Sequence, residues 1–240
     1  MILTSNKCIS GSMLKLIAVA TMLIDHLGVH IVRFTPWGRQ TLFELGHHVL
    51  TPYTLMRGIG RMAFPIFAFL IVEGFLHTRN RVKYGRNLLL FAFLSEIPWN
   101  LVHKNAFFWS QQNVFFTLFL GYLGMLCIEH FQTDSRKMAL SLLTLLTCSF
   151  VLRADYGCAG FGFILLMYAL RENPLLRAII GSCTLSSTWR AGLAFIPITL
   201  YNGQRGFVKG NLLKYAFYLF YPLHLFALYL LKVYLLSQGN

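Results

Sequence analysis

The sequence predicts an all-α polytopic membrane protein of about nine transmembrane helices, folded as a single transmembrane domain over residues 1–240. Three observations predict it. Of the residues, 56% are hydrophobic and only 12% are charged, where a soluble domain carries about 25% charged residues. The apolar residues gather into runs close to bilayer length, separated by short polar turns. At about 20 residues per span those runs use up the chain and leave no stretch for a soluble domain.

The first run, Leu14 to Val32, is the most informative because Lys15, Asp25 and His26 stand inside it. An ionisable group in a span is costly and points to function. Lys15 and His26 are eleven residues apart, within about 20° of three whole helical turns, so they share one face about 16 Å apart along the axis. Asp25 lies about 100° round the helix from His26 and belongs to a different neighbour. Ala18-Val19-Ala20 resembles a signal-peptidase site, but the apolar run continues past it, so the segment is expected to stay as a helix.

Arg33 to Pro52 reads as a polar loop, in which His47 and His48 are adjacent loop histidines rather than metal ligands. Tyr53–His77 is the second span, with Arg61, Pro65 and Glu73. The basic turn 78–86 carries Arg79. Asn87–Val102 is the third span, with Glu96 and Pro98, and Trp99 and Trp109 mark an interface beyond it. Asn113–Glu129, Met138–Leu152 and Cys158–Leu170 follow as spans four to six, the last two joined by a turn holding Asp155, Tyr156 and Gly157. Residues 178–200 read either as one span or as two short ones broken near Trp189-Arg190. Asn202-Gly203 and Arg205-Gly206 signal a turn. Leu212–Leu236 is the last span, broken by Pro222. With nine spans and the N-terminus inside, 13 of the 21 Lys and Arg residues fall inside, which favours that topology and puts Lys15 at the cytoplasmic end.

The net charge of +13 is accordingly a topology and anionic-lipid signal, with a smaller part left for an anionic ligand such as a phosphorylated cofactor; no nucleic-acid partner is implied. The five cysteines are scattered without a CxxC and read as packing residues, and no metal site is expected.

Each intramembrane polar group also has a plain structural reading. Glu73 and His77 can pair at i, i+4. Arg61 can snorkel. Glu96 can cap a helix broken at Pro98. Asp155 can pair with Arg153, and His224 can serve packing beside Tyr218 and Tyr221. Asp25, His26, Arg61, Glu73, Glu96 and His224 together are too many for helix glue alone and are expected to converge on one another or on a cavity. Such a cavity offers general-base catalysis by histidine or a proton-coupled or small-molecule transporter. There is no GxSxG, Walker loop or GxGxxG.

Six segments in order then carry a family resemblance. Lys15-x10-His26 closing on LIDH resembles the first helix of the TraX family. Gly60-Arg61-x-Ala63-Phe64-Pro65-x-Phe67-Ala68, Gln112-Asn113-Val114-Phe115-Phe116, Asp155-Tyr156-Gly157 with Gly160, Tyr201-Asn202-Gly203-x-Arg205-Gly206, and Phe217-Tyr218-x-x-Tyr221-Pro222-x-His224 are similar to its later motifs. The likeness covers nearly all of residues 14–230. The Lys/Arg-x10-His spacing also loosely resembles the acyltransferase-3 superfamily, whose members acylate envelope sugars. TraX is known for acetylating the N-terminus of conjugative F-type pilin. The resemblance therefore implies an acetyl-CoA-dependent acetyltransferase of the bacterial inner membrane, acting on a pilin, peptide or glycan acceptor. In it His26 is the general base, with Asp25 supporting it, Arg61 or Asn113 stabilising the oxyanion and His224 opposite. Lys15, Arg79, Arg205 and Lys214 would hold the coenzyme phosphates, and Tyr218 and Tyr221 would line the wall. Glu73, Glu96, Asp155, Tyr156 and Asn202 complete the polar cavity.

Overall fold

The structure, a computed structural model, describes residues 7–45, 48–185 and 189–238. It is built mainly of helices. Among the described residues three stretches are long and apolar enough to cross a membrane: Gly11–Phe34, Pro52–His77 and Gly210–Gln238.

Helix α1 spans Gly11–His30 and starts at Ser10, whose hydroxyl accepts from the Met13 amide, the expected N-cap use of serine. The expected loop that follows holds more structure than its composition suggests. It contains a 3-10 turn at Val32–Phe34, a short helix α2 at Pro36–Arg39, and an antiparallel pair, β1 at Phe43–Leu45 and β2 at His48–Leu50. The fold is thus helical with one small hairpin, not purely α. The His47–His48 pair falls outside the described side chains.

The second predicted span is two helices. Helix α3 (Pro52–Gly60) is closed by a Thr51–Thr54 capping box, and α4 (Ala63–His77) resumes after Arg61-Met62. Helix α4 is the axis of the molecule: Phe64, Ile66, Phe69, Val72 and Phe75 are all buried, and it packs on α1. Helix α5 (Arg81–Lys104) begins inside the basic cluster and runs unbroken through Pro98. Helix α12 (Gly210–Gln238) likewise runs through Pro222. Both predicted breaks are therefore absent; each proline removes one backbone bond, and the remaining turns packed between neighbours hold the axis. Helices α6 (Val114–His130), α7 (Ser135–Val151) and α8 (Gly157–Ala169) lie close to their predicted limits. The stretch read as one or two spans over 178–200 is instead three short helices, α9 (Pro174–Thr184), α10 (Trp189–Gly192) and α11 (Phe195–Thr199).

Close helix approach is bought with glycine. A Cβ on Gly28 would stand 3.1 Å from Met56 Cβ, and one on Gly60 only 2.2 Å from Asp25, so α1 and α3 meet nearly backbone to backbone, a membrane-helix device. Outward faces such as Leu140, Leu143 and Phe150 on α7 are exposed and apolar, as suits contact with lipid chains. The described cysteines are free thiols.

Candidate functional site

The first helix carries the site at two levels. At its start, the 200–208 loop clamps it. Gly11 and Ser12 donate their amides to the carbonyls of Gln204 (2.8 Å) and Arg205 (3.0 Å), filling acceptor needs with helix donors that have no partner inside the helix. The Ser12 hydroxyl donates to the Arg205 carbonyl at 2.7 Å and accepts from the Val208 amide at 2.8 Å. Gly206 takes φ +81° with Ser10 and Ser12 against its Cα, a place for glycine alone. This clamp brings Arg205 beside Lys15, and Lys214 at the start of α12 joins them, the three charges acting on one another. Three of the four predicted phosphate ligands thus gather. Arg79 does not: it is exposed in the turn before α5, and no described contact joins it to Lys15.

Three turns deeper, His26 Nδ1 lies 2.7 Å from Nε2 of His224, and the rings lie nearly coplanar, edge to edge, with centroids 5.0 Å apart and 6° between planes. His224 Nδ1 is 2.8 Å from the Phe220 carbonyl, which only accepts, so His224 Nδ1 carries a hydrogen. In neutral His224 the other nitrogen is then an acceptor. His26 Nδ1–H donates to it, and the lone pair of His26 falls on Nε2. Tyr221 lies beside both rings, at 6.3 Å from His26 and 5.6 Å from His224. Its hydroxyl is buried and makes no hydrogen bond. Tyr218 continues the wall, stacked on Phe91 at 4.9 Å.

Asp25 turns away from His26, as helix geometry requires, and forms an ion pair with Arg57 on α3. Arg61 and Asp155 act on the same charge group. Asp155 enters through a built turn. Gln112 bridges the two sides of Ala154, Asp155 N donating to Gln112 O at 2.9 Å and Gln112 N to Arg153 O at 3.2 Å, while the Thr117 hydroxyl donates to the Asp155 carbonyl. Tyr156 takes φ 64°, an uncommon left-handed position for a bulky residue, and its ring stacks on Phe64 at 3.8 Å. The side chains Asp25, Arg61, Asp155, Tyr156, Tyr221, His26 and His224 are thereby gathered in one polar centre.

Four predicted members belong elsewhere. Asn113 is fully occupied: its amide donates to Ala92 O (2.8 Å) and to Glu96 Oε2, and its oxygen caps α6 at Phe115 N (3.0 Å). With no N–H to spare and no exposure, it is not an oxyanion donor. Glu96 accordingly braces α5 against α6 rather than capping a helix broken at Pro98. Glu73 stands near the clamp instead, its carboxylate facing Tyr201 and Arg177 and His77 bonding its carbonyl at 2.9 Å. Asn202 is a turn residue of the clamp, its Oδ1 accepting from Gln204 N at 2.9 Å.

The sequence reading passed over three residues. Arg57 is one turn from Arg61, and His30 is one turn from His26; both i, i+4 relations were legible. His103, whose ring meets that of His30 at 4.6 Å, carried no such signal, because only the packing of α5 brings it there. Among the described residues no three His, Cys, Asp or Glu side chains converge as metal ligands.

No solved structure matches the chain. It is 28% identical over 257 aligned positions to the probable fimbrial assembly protein FimC, serogroup H1, of Dichelobacter nodosus, covering 94% of this chain and 97% of that protein. The family described as "TraX protein" matches residues 10–232, a range that takes in the clamp, the histidine pair and the 155–157 turn alike: the chain belongs to the TraX family.

Proposed function

We propose that this chain is a membrane-embedded acetyltransferase that moves acetyl from acetyl-CoA to an amine or hydroxyl of an envelope or secreted acceptor, foremost the N-terminus of a pilin. The observation that carries the reading is the His26–His224 pair, which fixes one tautomer and leaves the Nε2 lone pair of His26 as a base. Family membership and a relative named for fimbrial assembly support a pilin-like acceptor. With this reading go a single catalytic domain, a nine-span topology in the bacterial inner membrane, and a cytoplasmic N-terminus.

Acetyl-CoA supplies the activated acetyl thioester. The residues present suit it. Lys15, Arg205 and Lys214 form a cationic end for phosphates, and the buried, unpartnered Asn87 Nδ2 and Ser95 Oγ on α5, with the Tyr221 hydroxyl, offer hydrogen bonds along the way inward. His26 Nε2 takes the acceptor's proton as the new bond forms. His224 holds the ring in its tautomer and shares the positive charge that results. Arg61, whose guanidinium makes no hydrogen bond to a described residue, is the cation that would meet a developing oxyanion, and the Asp25–Arg57 pair sets the field around it.

Membranes containing the protein, given labelled acetyl-CoA and a pilin N-terminal peptide, are expected to label the peptide. His26→Gln is expected to cut the rate by about 10²–10⁴-fold, the usual contribution of a general base. Labelling near the wild-type rate in that variant overturns the assignment.

A further inference from the structure

The line of imidazoles does not stop at His26. His30 stands one turn further along α1, its ring 6.0 Å from that of His26. It is 4% exposed, and its Nε2 has no hydrogen-bond partner, an expensive state for a buried polar atom. The ring of His103, on the last turn of α5, meets it edge-on at 4.6 Å. His103 Nδ1–H donates to the Trp99 carbonyl at 2.8 Å, so its Nε2 is an acceptor. His103 is half-buried, and α5 ends one residue later at Lys104, capped by Asn105, at the end of the bundle opposite Lys15. Four histidines thus form a file, His224, His26, His30 and His103, with ring spacings of 5.0, 6.0 and 4.6 Å from the buried pair to the surface.

The reaction proposed above needs such a file. An ammonium acceptor plus an acetyl thioester gives an amide, a thiol and one proton, and that proton is left on a buried imidazole. The other groups facing the file are Arg57 on α3, Tyr221 and Lys232 on α12, and Lys104 on α5, with Lys232 Nζ held at the Val102 carbonyl at 3.2 Å. The neighbouring carboxylate, Asp25, is committed to Arg57. Cations and a phenol line the file, so a proton on it has no free carboxylate to rest on and is favoured to leave for water.

We propose that His30 and His103 carry the proton released at His26 to the surface at the end of α5. The His26 imidazolium gives its proton to His30, which gives one to Nε2 of His103, which gives one to water; each ring returns to neutral, and ring rotation closes the gaps. His30 and His103 touch neither donor nor acceptor and act through His26.

The inference rests on the acetyltransferase reading, and two measurements separate them. In the detergent-solubilised protein alone, exchange of the His26 and His30 ring N–H protons with solvent is followed by ¹⁵N-resolved NMR. His103→Gln is expected to slow it at least tenfold; unchanged exchange overturns the path whatever the enzyme does. In the labelling assay, His30→Gln and His103→Gln are expected to slow turnover without changing the acetyl-CoA KM, and His103→Gly is expected to recover with added imidazole, more so as pH rises. Slowing that imidazole does not rescue at any pH marks a structural role and overturns the proposal. Slowed exchange in a protein whose wild type labels no acceptor sinks the acetyltransferase reading and leaves the path standing.

Discussion

His26 and His224 lie edge to edge across 198 residues of sequence, joined by a 2.7 Å hydrogen bond whose direction is set by the Phe220 carbonyl behind them. The arrangement makes one ring the base and the other its holder, and the two roles are separable by mutation. His224→Phe keeps a flat ring at this position but removes the acceptor for His26 Nδ1–H. Acetyl transfer is expected to fall, by less than the about 10²–10⁴-fold lost when the base itself goes. Rates for the two variants measured side by side check this; equal losses would mean that the pair acts as one unit.

The Asp25–Arg57 pair is largely shielded, with side-chain exposures of 17% and 26%. Removing one partner from such a pair strands the other charge and costs about 3–5 kcal/mol. Asp25→Ala and Arg57→Ala are each expected to lower thermal stability in detergent, while Asp25→Asn with Arg57→Met recovers most of the loss. A double-mutant cycle on unfolding midpoints reads the coupling directly.

Glycine spacing on α8 gives a contrast with opposite signs. A Cβ at Gly160 would stand 2.5 Å from Tyr156 Cβ and 2.8 Å from Thr117 Cγ2, whereas one at Gly162 meets nothing within 4 Å. Gly160→Ala is expected to displace the Tyr156–Phe64 stack, lower stability and slow transfer. Gly162→Ala in the same helix is expected to stabilise by up to about 1 kcal/mol through helix propensity. Thermal unfolding of both variants, with transfer rates, tests the pair.

Much of this was legible in the sequence, and what was missed has physical causes. Apolar run lengths gave α6, α7 and α8 within a few residues, and the 100° advance per residue separated Asp25 from His26. Lys15 and Arg205 could be grouped through motif order. The breaks expected at Pro98 and Pro222 did not occur, because a proline costs one backbone bond and helices packed on both sides tolerate that loss. Asn113 looked available for catalysis because its three bonds lie to Ala92, Glu96 and Phe115, and two of those partners come from a different helix. His103 was invisible for the same reason: no periodicity on α5 announces a partner on α1.

The clamp has a consequence for how the protein is made. The first helix leaves the ribosome early, yet Ser12 waits for Arg205, 193 residues later, and His26 waits for a residue on the last helix. Contacts of such long sequence separation close late. A chain halted before Gln204 therefore carries a first helix with unanswered amides, and one halted before His224 carries a histidine without its holder. The proposed transfer activity is therefore expected only once the last helix has been made, and a chain truncated before it is expected to be silent.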